Sequence, residues 1–314
     1  MIAHFSVCQR VSLCRLSQEI FDHRDHPLGF RKKDEVAGIR DHGEFSVKDS
    51  LRGVGGVLDA DTVTLRARLS PRLDGQGLVK SAFPRHSPWR TLIIGRQPGR
   101  LVESDLVLNL ASPCVLPDTT WVKPGMSSWD WWSQVSHPST ATYRDFIEFS
   151  AEMGWPYALL DGGWSVRGNI LMPNPSVNID ELLTLAKEKN VKLWVWSHWT
   201  SMDKDDTYLQ AFPLYEKWGL AGVKIDFMNR DDQEMVNWYE KIAQAAAQHH
   251  LMVNFHGAFK PTGMIRTYPN QITREGILGN EYNRWSSRET PSTKQRCPSR
   301  GCSRVPATSL RVVS

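Results

Sequence analysis

The stretch that decides the fold runs from VKLWVWSHW, residues 191–199, to GVKIDF, residues 222–227. Both segments are short and apolar with β-branched and aromatic residues, which is typical of buried strands. Each carries a polar residue at its carboxyl end, His198 in the first and Asp226 in the second. A helix near residues 205–217 separates them, so the stretch predicts a βαβ unit with two parallel strands.

The same alternation of strand and helix continues on both sides of this unit. The predicted strands are SSWDWW (127–132), YALLDGGW (157–164), LMVNFHG (251–257) and one less distinct strand within 264–276. The predicted helices are 140–153, with Phe149 among the residues on its apolar side, the segment ELLTLAKEKN capped by Asp180, and 231–248, where Asp231 and Asp232 are placed to cap. This repetition indicates a parallel α/β architecture.

Two parallel architectures compete, the doubly wound sheet and the (β/α)8 barrel. No glycine-rich phosphate-binding motif opens a predicted helix, which removes the usual reason for a doubly wound sheet. Polar residues instead recur at the carboxyl ends of successive strands, where the active sites of barrels lie: Asp130, Asp161, His198, Asp226, His256 and Glu275. We therefore predict an incomplete (β/α)8 TIM-type barrel of about six βα units.

The thirteen tryptophans, which lie only between Trp89 and Trp285, help to divide the chain. We predict a poorly defined N-terminal segment (1–70), a remnant of an N-terminal β-sandwich with a linker (71–118), a partial catalytic barrel (119–288) and a disordered tail (289–314). Residues 61–70, at the end of the N-terminal segment, alternate like a half-buried strand, and 91–95 form a short apolar run typical of a buried strand, so we expect β-rich structure over 60–115.

Composition excludes several classes of protein. The net charge of +4 is diffuse, so we expect no nucleic-acid partner. No apolar run approaches eighteen residues, so we expect no membrane-spanning helix. The five cysteines form no CxxC pair, and their odd number does not suggest a disulfide framework. The N-terminus shows no legible signal peptide, which leaves the compartment open.

The carboxylates at the strand ends have two interpretations each. Asp226 ends an apolar strand and is either a functional acid or the cap of the next helix, and Asp161 is either functional or a turn carboxylate. Glu275 and Glu281 could supply a proton donor and a metal ligand, or they could be solvated loop charges. Spacing alone does not separate these alternatives.

The tryptophans favour a sugar site. Indole rings offer flat apolar faces, and they are numerous near the predicted strand ends, where a barrel core prefers branched aliphatic residues. Aromatic walls with paired carboxylates suggest glycoside hydrolysis. A catalytically inert carbohydrate-binding protein is the alternative from another class. An aldolase or lyase on a similar barrel is disfavoured, since no phosphate-binding loop accompanies Lys224, the one strand-end lysine.

Residues from about Asp74 to Arg288 resemble glycoside hydrolase family 97. The matching strings are LDGQGLVK, SPWR, WVKPG, SWDWW, DGGW, GVKIDFMNRDDQ, NFHGAFKPTG, RTYPNQITREG and GNEY. The resemblance implies a catalytic barrel between an N-terminal β-sandwich and a C-terminal β-domain, a calcium cofactor, and action on α-linked glucosides or galactosides.

The resemblance also implies roles for individual residues. Where inverting members carry a glutamate base this chain has Gly257, so the retaining subgroup is implied, with Asp226 as nucleophile and Glu281 as acid and base. Glu275 and Glu281 are the implied calcium ligands. The implied sugar contacts are Asp161, Trp164, Lys224 and His256. We expect a terminal α-galactoside or α-linked oligosaccharide as substrate, with an α-glucoside as the alternative, and a monomer.

Two departures from the family pattern lie at the ends of the chain. Residues 1–70 do not resemble the family's sandwich, and the sequence after Arg288 does not continue into the last barrel strands. We therefore expect a homologue truncated at both ends, whose turnover needs testing.

Overall fold

The computed structural model describes residues 56–58, 63–65, 70–82, 103–133, 137–259, 261–276 and 280–284. Strands β1 (Gly56–Leu58) and β2 (Val63–Leu65) form an antiparallel pair, and β2 falls inside the strand predicted at 61–70. Helix α1 (Leu106–Leu110) follows. The strand predicted at 91–95 and the tail predicted at 289–314 lie outside the described residues.

Six parallel strands form the main sheet: β3 (Ser127–Trp129), β4 (Tyr157–Leu160), β7 (Lys192–His198), β8 (Gly222–Asp226), β9 (Met252–Phe255) and β10 (Gln271–Arg274). Their order across the sheet is the order of the chain. A hairpin of β5 (Ser165–Val166) and β6 (Asn169–Pro173) lies between β4 and the next helix. The prediction of a partial barrel with about six βα units is confirmed.

Helices return the chain between the strands: α2 (Thr140–Glu152), α3 (Ile179–Glu188), α4 (Trp199–Asp203), α5 (Tyr208–Lys217), α6 (Gln233–Gln248) and α7 (Met264–Thr267). Of the two predicted caps of α6, Asp232 accepts a hydrogen bond from the Met235 amide, whereas Asp231 accepts from the Ser70 hydroxyl. Among the described helices, none is long and apolar enough to cross a membrane.

Two details of the predicted helices are wrong. Asp180 does not cap α3; the cap is Asn178, whose side chain accepts from the Glu181 amide, because the buried Ile179 has to lie inside the helix. Phe149 was expected on the apolar side of α2, but it is 41% exposed. It lies two residues after the buried Ile147, about 200° further around the helix, and packs on Trp155 instead.

The outer face of the sheet packs on the helices. Because side chains alternate along a strand, Val195, Val223 and Val253 share that face, and all three belong to the main hydrophobic core. The opposite face, which lies inside the curve of the barrel, begins with Trp194, Gly222 and Met252 in adjacent register. A side chain at Gly222 would come within 2.6 Å of the Trp194 ring, so the glycine provides the space for this indole.

Polarity increases along the inner face toward the carboxyl ends of the strands. Trp196, Lys224 and Asn254 form the next layer in register, and His198 and Asp226 pair beyond them. The alternation that directs Val223 and Ile225 toward the helices therefore places Lys224 and Asp226 inside the barrel. The candidate site lies at this end.

Candidate functional site

Asp226 lies at the carboxyl end of β8, and only 6% of its surface is exposed. The indole N–H of Trp196 donates to its Oδ2 atom (3.1 Å), and the backbone amide of Phe227 donates to its Oδ1 atom (2.7 Å). The alternative that Asp226 caps the next helix does not hold, because Asp232 occupies that position. Both oxygens of Asp226 are thus fixed by hydrogen bonds inside the barrel mouth.

The surroundings of Asp226 favour its ionised form. Burial alone would raise its pKa, but the charge and hydrogen bond of His256 and the charge of Lys224 hold the pKa of Asp226 well below its usual range. His256 Nδ1 lies 3.3 Å and Lys224 Nζ 3.7 Å from Asp226 Oδ2. Asp226 is therefore a carboxylate at neutral pH.

Lys224 links Asp226 to Asp161, which follows β4. Its Nζ atom donates to Asp161 Oδ2 (2.8 Å) and lies 4.2 Å from the centre of the Trp129 ring. Burial alone would lower the pKa of Lys224, yet the charges of Asp161 and Asp226 raise it above its ordinary value. Asp161 also accepts from the Trp129 indole (2.6 Å) and from the Gly162 amide (2.7 Å). Asp161 is therefore the main partner of a buried cation.

His256 follows β9 and contacts three carboxylates. Its Nδ1 atom lies 3.0 Å from Glu275 Oε2 and 3.3 Å from Asp226 Oδ2, and its Nε2 atom lies 3.5 Å from Glu281 Oε2. Burial and the charge of Lys224 oppose protonation of the ring, but Glu275 and Asp226 outweigh them and raise the pKa of His256 to about 9. His256 is therefore an imidazolium at neutral pH.

Glu275 and Glu281 come from the segment after β10. Glu275 Oε2 accepts from the Gly257 amide (3.0 Å), which ties this segment to the end of β9. Burial raises the pKa of Glu275, and the charges of Glu281 and Asp226 add to this, against the opposing charge of His256. Glu281 Oε1 accepts from the Trp131 indole (2.7 Å). Neither glutamate is a solvated loop charge.

The same two glutamates form, with His256, a group that could hold a metal ion, and His256 would join it as a ligand only after its ring loses a proton. One ligand atom from each of these three residues lies within 4.8 Å of the other two. The carboxylate oxygens suit a hard cation such as Ca²⁺, whereas an imidazole nitrogen is a ligand for softer metals. Two carboxylates that repel each other when ionised fit a divalent cation, which would need further oxygen ligands from outside this group.

The structure brings six of the seven predicted site residues into one cluster: Asp161, Lys224, Asp226, His256, Glu275 and Glu281. Trp164 is outside it. Its side chain has no exposed surface, donates to the Trp196 carbonyl (2.7 Å) and packs on Tyr215 and Trp218. In this arrangement Trp164 supports the strand that carries Trp196.

Sequence reasoning missed two features of the site. It took the tryptophans as flat platforms, whereas Trp129, Trp131 and Trp196 each donate an indole N–H to one of the site carboxylates. It also gave Asp130 no role, although Asp130 is 1% exposed and accepts from the Asp161 amide (3.1 Å). The recurrence of tryptophan beside acidic strand ends was the available signal for the first feature.

Comparison with known proteins gives two family matches. The model described as Glycoside hydrolase 97 matches residues 121–277, and the one described as Glycosyl-hydrolase 97 N-terminal matches residues 40–113. The first covers the whole sheet from β3 to β10 and half of the chain. The second match includes residues 40–70, so the expectation that residues 1–70 do not resemble the family's sandwich is wrong for that part. The domain boundaries given above stay predictions.

Curated relatives and solved structures match only in part. A probable retaining alpha-galactosidase from Streptomyces bingchenggensis is 37% identical over 202 residues, 62% of this chain and 32% of the relative. A retaining alpha-galactosidase from Bacteroides thetaiotaomicron is 33% identical over 228 residues, 69% of this chain and 34% of the relative. A glycoside hydrolase family 97 enzyme from Pseudoalteromonas sp. strain K8, solved with acarbose, is 32% identical with a TM-score of 0.59 over 63% of this chain and 36% of that one.

A beta-arabinopyranosidase structure is 27% identical, with a TM-score of 0.62 over 71% of this chain and 37% of that one. The chain spans about a third of the length of the relatives it matches. The family match nevertheless covers every strand of the main sheet together with Asp161, Lys224, Asp226, His256 and Glu275. The chain belongs to glycoside hydrolase family 97.

Proposed function

We propose that this chain carries the catalytic centre of a retaining α-galactosidase, with Asp226 as nucleophile and Glu281 as general acid and base. The observation that carries the proposal is that one buried imidazole, His256, contacts both carboxylates. A retaining glycosidase needs two carboxyl groups on either side of one glycosidic bond. Because Asp226 and Glu281 both contact the His256 ring, both carboxyl groups border the same part of the barrel mouth.

In the first step Asp226 attacks the anomeric carbon and forms a glycosyl ester, while Glu281 gives its proton to the departing glycosidic oxygen. The low pKa of Asp226 keeps the attacking carboxylate ionised at neutral pH. Hydrogen bonds from Trp196 and Phe227 hold its two oxygens in a fixed orientation, which limits the reorganisation needed for attack.

In the second step Glu281, now ionised, takes a proton from water, and this water attacks the anomeric carbon and releases Asp226. A carboxylate whose charge is stabilised is a better leaving group. The same contacts with His256 and Lys224 that keep Asp226 ionised before attack therefore favour its release. Glu281 ends the cycle protonated, as it began.

The four predicted sugar contacts divide into two kinds under this proposal. Lys224 and His256 border the Asp226 carboxylate, so they are the candidates for contact with sugar hydroxyls. Asp161 is the partner that keeps Lys224 in place. Trp164 lies behind Trp196 and acts through it.

Calcium is the proposed cofactor, with Glu275 and Glu281 as ligands. When bound, a divalent cation at these carboxylates would supply positive charge that stabilises ionised Glu275 and makes Glu281 a stronger acid for its proton transfer in the first step. The metal test does not depend on turnover: calorimetric titration should detect calcium binding that Glu275→Gln weakens at least about tenfold. Equal calcium affinity in the two proteins would contradict this assignment.

An α-galactoside is the proposed substrate because both curated relatives described above are named retaining alpha-galactosidases. The structures solved with acarbose and panose keep an α-glucoside as the alternative. An L-arabinopyranoside has the galactose pattern of ring hydroxyls without the hydroxymethyl group, so it provides a third substrate for comparison.

The test is an assay of the purified chain with the nitrophenyl α-galactoside, α-glucoside and arabinopyranoside, with calcium present. We expect the galactoside to be cleaved fastest, with α-galactose as the first product by proton NMR. Asp226→Ala should lose at least about a thousandfold in kcat, and azide should restore part of it. Asp145→Asn, at an exposed position on α2, is the control and should keep full activity.

Three results would contradict the proposal. Release of β-galactose first would indicate inversion, and unchanged turnover in Asp226→Ala would exclude it as the nucleophile. Sugar binding by calorimetry without turnover of any of the three substrates would favour an inert carbohydrate-binding protein instead.

A further inference from the structure

Asp130 is a buried carboxylate that the proposed mechanism does not use. It follows β3 directly, and its Oδ1 atom accepts a hydrogen bond from the Asp161 amide (3.1 Å). The hydroxyl of Tyr143, on α2, donates to the Asp161 carbonyl (3.1 Å). Both main-chain polar groups of Asp161 are therefore fixed by side chains from other elements.

The position of Asp161 determines where Lys224 lies. Asp161 Oδ2 lies 2.8 Å from Lys224 Nζ, which in turn lies 3.7 Å from Asp226 Oδ2. A shift of the Asp161 main chain would carry its carboxylate and the attached lysine away from Asp226. Asp130 lies at the start of this series of contacts and is linked to Asp226 through Asp161 and Lys224.

We propose that Asp130 is a positioning residue of this site, which fixes the Asp161 main chain and so sets where Lys224 lies relative to Asp226. The inference rests on the proposed function, since it assigns Asp130 a role in the reaction of Asp226. Asp130 acts through other residues and does not touch the substrate.

The charge state of Asp130 is part of this role. The charged or titratable groups around it are Asp161 after β4, Lys224 from β8 and Tyr143 from α2. Burial, together with the charge of Asp161, raises the pKa of Asp130 to about 7. Below that pH Asp130 is neutral and does not attract Lys224, which interacts with the charges of Asp161 and Asp226. Above it, ionised Asp130 adds a further negative charge that attracts the lysine.

The first experiment measures kcat and KM for the nitrophenyl α-galactoside from about pH 5 to about pH 9 in wild type, Asp130→Asn and Asp130→Ala. Asparagine keeps the acceptor oxygen but cannot ionise, so the alkaline loss of kcat should move at least about one pH unit upward. Alanine removes the acceptor, so kcat at pH 6 should fall about 10- to 100-fold with KM nearly unchanged. An unmoved alkaline limb in Asp130→Asn, or equal kcat in the two variants, would overturn the proposal.

The second experiment does not need turnover. The indole N–H of Trp129 donates to Asp161 Oδ2, so its NMR resonance reports on Asp161. In wild type this resonance should shift with a midpoint near pH 7, and in Asp130→Asn that step should be absent. The same step in both proteins would overturn the coupling. If the wild-type Trp129 resonance shifts near pH 7 but the protein has no turnover, the link between Asp130 and Asp161 stands and only the proposed function is refuted.

Discussion

At the scale of single residues, the site is a series of buried charges of alternating sign. Each of four side chains lies within 4 Å of the next, in the order Asp161 after β4, Lys224 and Asp226 on β8, and His256 after β9. An isolated buried charge is strongly unfavourable, and it becomes tolerable when opposite charges and hydrogen bonds surround it. Removing one member should therefore expose the burial cost of its neighbours.

Lys224→Met tests this argument. The change leaves Asp161 and Asp226 buried without their shared cation, so the free energy of unfolding should fall by about 3–5 kcal/mol in urea denaturation. Lys241→Met is the matched control, because Lys241 pairs with Asp206 at 2.8 Å on the surface, and its loss should cost about 1 kcal/mol or less. Similar losses in the two variants would show that the buried lysine adds nothing beyond a surface pair.

Asp130→Asn should change how stability depends on pH. The pKa of Asp130 is raised from 3.8 to about 7, so between these values the folded protein binds a proton that the unfolded chain has released. Wild-type stability therefore loses this contribution as pH rises through that window. Asparagine cannot ionise, so its stability relative to wild type should rise by on the order of 2–4 kcal/mol from about pH 4 to about pH 8.

Urea denaturation at several pH values measures this difference, with Asp145→Asn, an exposed acid, as the control. A difference in the free energy of unfolding that is the same at every pH reflects the extra amide donor of asparagine. Only the pH dependence of this difference tests the raised pKa of Asp130. A constant gap between Asp130→Asn and wild type would mean that Asp130 titrates normally in the folded protein.

At the scale of elements, the strands and helices were predictable because each is local in origin. Val223 and Ile225 alternate with Lys224 and Asp226, and this pattern alone indicates a strand with one polar end. The partners of these side chains depend on contacts between distant elements. That the Trp131 indole meets Glu281, 150 residues along the chain, could not follow from spacing. The fold was therefore predictable from local pattern, and the family resemblance named the six residues that cluster, whereas Asp130 and the indole donors were not predicted. The roles of the six stay predictions.

Two turns at the ends of β8 and β9 are joined to each other. Phe227 and Asn229 have positive φ values of 67° and 47°, which fold the chain back after Asp226. The Phe227 amide donates to the His256 carbonyl (3.2 Å), and the Asn229 amide donates to the Gly257 carbonyl (2.9 Å). The turn that follows the proposed nucleophile is thus held by the turn that follows the imidazole.

Gly257→Ala should disturb this junction. Gly257 has a φ of +57°, and an added Cβ would lie 3.1 Å from Asp226 Oδ1. We expect a loss of about 1–2 kcal/mol in stability from the backbone conformation and a fall in kcat of about 10- to 100-fold from displacement of Asp226.

Gly154→Ala separates the two effects, because Gly154 has a φ of +67° but its added Cβ would meet nothing within 4 Å. This control should lose similar stability and keep its activity. Full activity in Gly257→Ala would show that Asp226 does not need the space beside it.

At the scale of the whole molecule, the segment 70–82 is attached to the barrel at the start of α6. Ser70 Oγ donates to Asp231 Oδ1 (2.6 Å), and Arg72 Nη2 lies 3.1 Å from Glu234 Oε1. Gln233 pairs with both main-chain groups of Lys80, at 2.8 Å each. These contacts lie a few residues beyond Asp226, so the attachment supports the loop that leaves the proposed nucleophile.

Gln233→Ala should release this segment without unfolding the barrel. It removes both hydrogen bonds to Lys80, each worth about 1 kcal/mol, so amides in 70–82 should exchange roughly tenfold faster by mass spectrometry. The strands should exchange as before, because β8 pairs with β7 from Gly222 to Asp226 without any contribution from residues 70–82. Gln244→Ala, at an exposed position on the same helix, is the control and should leave 70–82 unchanged. If Gln233→Ala and Gln244→Ala exchange alike, residues 70–82 are held by their other contacts, and Gln233 is not the residue that attaches them to the barrel.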